Sequence, residues 1–476
     1  MSNTVKEKKQ PSFGYALMTM IVCFAFVLIP TIFFKANIRV MFLLAWLLAY
    51  PLCMHLGYTF QELQSGMLKF IPKCIMPMLL LLTVGSVVGA WCASGTIAYV
   101  MSLGLSIINP KFFLATAFLV CLIFACMAGT SFGTCGTVGV ALMGVAIGMG
   151  INELVAAACI ISAALIGDGL SPMSDTPNVI AGTTGVDLVE AIKFQLPMTI
   201  PVAVLTFVYY VILGASGQLQ VADTSTIKEL IGQINDTYHM GPVCLIPIAI
   251  VLILLVLHFP TIPSLMLGAV SGALVAWLVQ GQSLISVINV MYNGYQVNSD
   301  VELINSLFSR GGILNMVGTA LLFIFSFGLF GILNECHILE TLVAPLCTKV
   351  NGRFSGYVCT IILGFIALFS SSASFSEVFT CNIMKEVYEE KGMDLRDLTR
   401  AATVGTFALQ LYIPYVLMVQ TVCGYLNVDG IAVMRHYVTS PLYLIVCLII
   451  VGFNLDKKFC KFLFKNEKED VINVKN

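Results

Sequence analysis

The chain is 476 residues long and 58% apolar, with 24 Lys+Arg, 25 Asp+Glu and a net charge of −1. Only 10% of residues are charged, where soluble domains carry about a quarter, and the mean hydropathy is +0.95. This excludes an ordinary water-soluble enzyme, and the balanced charge excludes a basic nucleic-acid surface. The solvent is lipid, and at about 20 residues per crossing the expected fold is an all-α polytopic membrane protein of about 10–12 transmembrane helices.

In chain order, an N-tail (1–13) carrying Lys6, Lys8 and Lys9 precedes a first span, 14–34, too long for the apolar core of a cleaved signal and therefore retained. Spans follow at 38–58, 74–95, 112–128, 152–166 and 197–215. After a polar connection (216–241) they resume at 242–258, 262–280, 311–333, 354–369, 400–422 and 437–454. Segments 60–73 and 282–310 are amphipathic and read as arms lying along the membrane. Segments 96–108 and 129–149 either cross or re-enter. The mixed-sign run 385–400 reads as a solvated cytoplasmic connection. A tail (455–476) with Lys457, Lys458, Lys461, Lys465 and Lys468, against Lys228 alone in 216–241, places both termini on the cytoplasmic side of a cell membrane and 216–241 outside.

The chain repeats itself at an offset of 242 residues: Asn109, Lys111 and Phe112 fall on Asn351, Arg353 and Phe354. In the same register Gly89 falls on Gly331, Gly150 on Gly392, Pro172 on Pro414, and Gly182 and Asp187 on Gly424 and Asp429. Apolar stretches match by chance, but matched Asn, Gly, Pro and Asp without a gap point to duplication. The expected organisation is two repeats, 14–215 and 242–454, with broken helices or re-entrant hairpins at mid-membrane, the usual architecture of secondary transporters.

Two segments of the first repeat break helical grammar, GTSFGTCGTVG (Gly129 to Gly139) and GDGLSPMSDTPN (Gly167 to Asn178). Glycine costs a helix about 1 kcal/mol and proline about 3, and the backbone groups so freed are tolerated at membrane depth only around a wet cavity. Asp168 and Asp175 are then buried carboxylates needing a compensating cation, Asp175 being the more enclosed by hydroxyls. Sodium suits oxygen donors, and the candidate binding residues are Gly129, Thr130, Ser131, Thr134, Thr137, Ser171, Ser174, Thr176 and Asn178 beside the two acids. A proton could occupy the same carboxylates, and competition of proton and sodium for one site is sufficient for exchange. The second repeat offers FSSSASFSEVF, with Ser372, Ser374, Ser376 and Glu377; Asp168 and Asp175 fall on Gln410 and Leu417, so the site is asymmetric. Gln410 and Tyr412 suit an organic solute that brings its own carboxylate. The 16 cysteines show no metal-ligand spacing, and no cofactor is expected.

GTSFGTCGTVGVALMGVAIGMG followed by GDGLSPMSDTPN resembles the signature of the NhaC-type sodium/proton antiporters, most specifically over about 129–187. The resemblance implies the ion transporter superfamily, inverted repeats and broken helices meeting head to head. It also implies a departure: where the family pattern suggests an acidic Glu-Asp-Ser-Gly-type segment, this chain has AATVGTFALQLYIPYV (Ala401 to Val416). The leading expectation is a cation-coupled secondary transporter, a sodium/proton antiporter working by alternating access with sodium at Asp175 and Asp168. The alternative is a sodium- or proton-coupled carrier of a small organic anion or amino acid, of the malate/lactate type. An intramembrane aspartyl hydrolase needs two acids from separate helices and a channel needs a filter; neither is evident, and no Gly-x-x-x-x-Gly-Lys-Ser/Thr motif supplies ATP coupling. Expected partners are lipid, sodium and protons, with an organic solute as the alternative and no nucleic acid, and a homodimer is one assembly the reading admits.

Overall fold

A computed structural model describes residues 8–216, 224–297 and 302–456, so Lys6 and the lysines of the 457–476 tail lie outside the described residues. The first half runs α1 (Phe13–Phe34), α2 (Ile38–His55), α3 (Phe60–Phe70), α4 (Ile75–Ala93), α5 (Thr96–Ile107), α6 (Phe113–Ala128), α7 (Ser131–Gly148), α8 (Glu153–Leu170), α9 (Asp175–Thr184) and α10 (Leu188–Ala215). Next come α11 (Thr224–Thr237), α12 (Ile246–Val256), α13 (Thr261–Leu278), α14 (Leu284–Asn293), α15 (Glu302–Phe308), α16 (Ile313–Glu335) and α17 (Ile338–Thr348). The chain closes with α18 (Arg353–Ser370), α19 (Ala373–Glu390), α20 (Leu395–Tyr412), α21 (Leu417–Leu426), α22 (Gly430–His436) and α23 (Thr439–Gly452). Among the described residues there is no strand; 10 helices are long and apolar enough to cross a membrane, or up to 13 if each bent pair is one span.

The duplication extends further than the matched residues. Helices α7, α8 and α9, shifted by 242, coincide end for end with α19, α20 and α21. Left-handed residues fall in the same register: Gly95 (φ 75°) with His337 (56°), Gly129 (64°) with Ser371 (68°), Gly150 (71°) with Gly392 (62°), and Gly185 (80°) with Asn427 (57°). The repeat is thus a property of the helix ends, where the backbone must leave the α region, more than of the apolar faces between them.

Equivalent helices α4 and α16 pack against one another and run antiparallel. Near one end Gly312 N donates to Gly85 O at 2.6 Å; at the other the Phe70 ring, just before α4, lies 5.8 Å from Phe327 and 4.9 Å from Phe330. Two copies of one unit with opposed equivalent helices are related by inversion, as the resemblance implies. The halves also exchange contacts reciprocally, α9 packing on α19 and α21 on α7.

Three sequence readings change. Residues 216–241 contain α11, whose Leu230 and Ile234 are buried, so what reads as a loop is partly an amphipathic helix; 217–223 lie outside the described residues. Gly129 to Gly139 does not interrupt the helix throughout. The break is confined to Gly129 and Thr130, and α7 continues through Gly133, Gly136 and Gly139 with one π turn over Cys135–Gly139. Gly136 there serves close packing, since an added Cβ would lie 3.1 Å from Val84 and 3.3 Å from Tyr425. The 385–400 run is not uniformly solvated. Arg400 is fully buried, its Nη1 2.6 Å from Asp456 and its Nη2 donating to Phe194 O, and Arg353 bridges Asp456 (2.5 Å) and Asp397 (2.8 Å). Charges paired with one another can be buried where single ones cannot.

Candidate functional site

Each repeat carries a helix interruption of the same construction. Helix α6 ends on Gly129, the chain turns extended at Thr130, and Thr130 Oγ1 accepts the Gly133 amide at 3.2 Å as α7 begins. Helix α18 ends on Ser371, and Ser372 Oγ accepts the Phe375 amide at 3.2 Å as α19 begins. Such a break aims the negative end of one helix dipole and the positive end of the next at one point. A second pair of interruptions separates α8 from α9 and α20 from α21. Asn178 Nδ2 donates to Pro172 O at 2.9 Å and Ser174 O at 2.7 Å, and its equivalent Gln420 Nε2 donates to Pro414 O at 2.5 Å.

The interruptions meet at a cavity of about 530 Å³. Of the sequence-predicted residues, Gly129, Thr130, Ser131, Asp168, Ser174, Asp175, Thr176, Ser372, Ser374 and Gln410 line it. Equivalent positions of both repeats therefore face one space, Thr130 with Ser372 and Asp168 with Gln410.

Asp168 is 6% exposed, with Oδ2 accepting the Ser131 amide at 3.0 Å and a buried Oδ1 that has no hydrogen-bond partner. One oxygen thus caps the positive start of α7 while the other remains available. Gln410 is 1% exposed, and both its amide oxygen and its amide nitrogen are unpartnered, as is Ser371 Oγ. A buried polar atom left unpaired costs about 1–3 kcal/mol, and Asp168 and Gln410, which carry such atoms, both line the cavity. Glu377, also buried, accepts from Thr176 Oγ1 at 3.1 Å, joining α19 to α9 one hydroxyl away from the cavity. Asp168, Asp175 and Glu377 form no ion pair within the described residues. Buried carboxylates without a counter-charge favour a bound cation or proton. Among the described residues no group of three or more His, Cys, Asp or Glu is placed to hold a metal ion, so a hard cation would draw on single carboxylates, hydroxyls and carbonyls.

The relative depth of the two aspartates is the reverse of the sequence reading: Asp168 is buried and Asp175, the first residue of α9, is exposed. Thr134 and Thr137 donate to Thr130 O and Gly133 O at 2.7 and 2.6 Å, and Ser376 to Gly364 O at 2.8 Å. Ser171 Oγ accepts the Met173 amide at 3.3 Å, while Asn178 locks its own loop. These residues, with Glu377 and the half-buried Tyr412, are not brought to the cavity wall.

Sequence reasoning missed Lys73, which lines the cavity with Nζ 4.1 Å from the Phe70 ring centre and 4.9 Å from that of Phe375. It has no carboxylate partner within the described residues. The available signal was its place as the sole cation opening a long charge-free span, the next charge being Lys111.

The chain matches the model of the Na+/H+ antiporter family over residues 8–215 and 163–454. It is 30% identical to the malate-2H+/Na+-lactate antiporter of Bacillus subtilis over 402 residues, covering 84% of this chain and 86% of that one. It is likewise 30% identical over 347 residues to the Na+/H+ antiporter NhaC of Alkalihalophilus pseudofirmus, covering 73% and 75%. With the arginine/ornithine antiporter ArcD of Halobacterium salinarum it shares 26% over 464 residues, covering 95% and 94%. Inverted helical repeats, a buried carboxylate at their meeting point and these matches lead to one conclusion: the chain is a multi-pass membrane transporter that belongs to the Na+/H+ antiporter family.

Proposed function

We propose that the 530 Å³ cavity is the transport site of a sodium/proton antiporter working by alternating access, with Asp168 as the coupling carboxylate. The observation that carries this reading is that Asp168, with an unpartnered Oδ1, and Gln410, its equivalent in the other repeat with an unpartnered amide, line one cavity. Sodium or a proton satisfies Oδ1, and because one oxygen cannot fully serve both, entry of one favours departure of the other. Thr130, Ser131, Ser174 and Thr176 supply further oxygens, Asp175 draws cations to the mouth, and Glu377 is a second buried proton acceptor behind Thr176. The repeats 14–215 and 242–454 rock about the cavity, with both termini cytoplasmic in a cell membrane.

A second reading, exchange of a small organic carboxylate coupled to these ions, is favoured by Lys73. An ammonium held against two aromatic rings with no acid partner, in a cavity large enough for several heavy atoms, suits a solute carrying negative charge. The start of α19 adds to it: Gln410 leaves that helix N-terminus without the acid that Asp168 gives to α7. The name of the Bacillus relative is in keeping with this reading.

Proteoliposomes enclosing a pH-sensitive dye test both. A sodium gradient alone moves protons in the first case; in the second the dye stays silent until a carboxylate is supplied. Asp168→Asn removes sodium dependence in both, and unchanged coupled exchange by that variant rejects the site.

A further inference from the structure

A larger cavity, about 1070 Å³, lies toward the other end of α21. Leu417 and Met418, at the start of that helix, line the transport cavity, while Cys423, Gly424 and Tyr425 line this one. Its charge is one-sided. Lys35, Arg39, Arg310 and Arg435 stand on its wall with a single acid, Asp429. That acid is already engaged, its Oδ1 accepting the Ala432 amide at 2.8 Å. Among the described residues none of the four basic side chains forms an ion pair.

Arg310 is held rigidly. Its carbonyl accepts the Tyr295 amide at 3.1 Å, and the two residues after it, Gly311 and Gly312, take φ of 81° and 89° to lie against α4. A Cβ on Gly311 would stand 2.3 Å from Gly89 N, so the close approach requires glycine there. The guanidinium keeps Nε and Nη2 buried without an oxygen acceptor, the Cys92 thiol being its neighbour. Tyr425, on the same wall and 3% exposed, has an unpartnered hydroxyl. A guanidinium withdrawn from water without a counter-charge is strongly destabilising, and its planar fork matches a carboxylate in two parallel hydrogen bonds. A sodium ion would be repelled from these walls; an anion would not.

We propose that this cavity is a second binding site, for a small organic carboxylate, in which Arg310 pairs with the carboxylate and Tyr425 donates to it. The site is separate from the transport cavity and does not depend on which ion Asp168 binds. The test is equilibrium binding of succinate to the full chain in nanodiscs of zwitterionic lipid, where no lipid headgroup supplies a net negative charge. Arg310→Gln is expected to weaken succinate binding about tenfold or more. Arg310→Lys, which keeps the charge, is expected to recover part of it and shows that the fold survives substitution, and Tyr425→Phe to weaken it several-fold. Lys69→Met, on the exposed arm before α4 and outside both cavities, keeps the binding. Equal succinate binding by Arg310→Gln and the wild type overturns the proposal. So does loss in Lys73→Met but not in Arg310→Gln, which returns the carboxylate to the transport cavity. Sulfate competing as well as succinate reduces the site to unspecific charge and overturns it too.

Discussion

The two repeats share a backbone and divide the chemistry between them. At the 530 Å³ cavity the first repeat presents Asp168, which neutralises the start of α7 and keeps an oxygen free, while the second presents Gln410, which leaves the start of α19 positive. Away from the cavity the asymmetry is reversed. Arg353, Asp397, Arg400 and Asp456 make a buried ion cluster in the second repeat, where the first has Lys111, Val155, Ala158 and Gly214. Gly214 lies so close to the 111 backbone that an added Cβ would stand 2.5 Å from Lys111 O. The same helix junction is closed by small-residue contact in one repeat and by paired charges in the other. Under the proposed function, inversion of the backbone supplies two similar half-cycles, and the side chains set the difference between the two halves of the cavity.

Breaking the ion cluster is the severest way to separate the repeats. Arg400→Met removes one of the two guanidinium partners of buried Asp456, leaving Arg353, and is expected to destabilise the protein by up to about 3–5 kcal/mol, whereas Ala158→Met at the equivalent place is expected to cost about 1–3 kcal/mol, as overpacking does. Thermal unfolding in detergent compares them. Next, Asp168→Asn makes the cavity nearly symmetric in charge and is expected to lower sodium affinity about a hundredfold, the upper end for losing a charged hydrogen-bonding partner; sodium-driven proton flux in proteoliposomes reads it. Asp175→Asn, at the exposed mouth, should lower sodium affinity only about threefold to tenfold, since exposed charges are screened. A loss as deep as that of Asp168→Asn would place the first-bound ion at α9.

Smaller effects sharpen the comparison of the breaks. Ser371 takes a left-handed φ of 68° where its equivalent is Gly129. Ser371→Gly is therefore expected to stabilise the second break by up to about 1 kcal/mol, and Gly129→Ala to destabilise the first by about 1–2 kcal/mol. Gly129→Ala also drives a Cβ to 2.7 Å from Met173 Cβ. Last is pH. Burial acts to raise the Asp456 carboxyl, but hydrogen bonds and charge from Arg353 and Arg400 hold it below its ordinary value. Its contribution to stability is thus complete above the unfolded aspartate value of about 3.9 and lost only as pH falls through the lower folded value. The melting temperature should be insensitive to this group from about pH 5 upward, with the acid-side decline reduced in Asp456→Asn. A decline already present near pH 6 that Asp456→Asn abolishes would contradict that placement.

The membrane-spanning character, the duplication and the acids of the first repeat were legible because each leaves a local trace: runs without charge, glycine and proline at fixed offset, carboxylates among apolar residues. Lys73 was not, because a lone lysine at the start of a span reads equally as an interfacial anchor, and only the packing of Phe70 and Phe375 against it brings it to the cavity. Arg400 was hidden for a related reason. It sits in a charged run whose burial depends on Asp456, 56 residues away, and helical periodicity carries no information about such partners.

By itself the sequence determined that the chain lives in lipid, that it is built twice, and where its helices must break, because apolar transfer and backbone restriction act within a few residues. Tertiary structure alone decided that the copies are inverted, that Asp168 and not Asp175 is the enclosed acid, and that Gln410, Ser372 and Lys73 share its cavity. Those are consequences of which helix ends meet, and that is settled by packing between segments hundreds of residues apart.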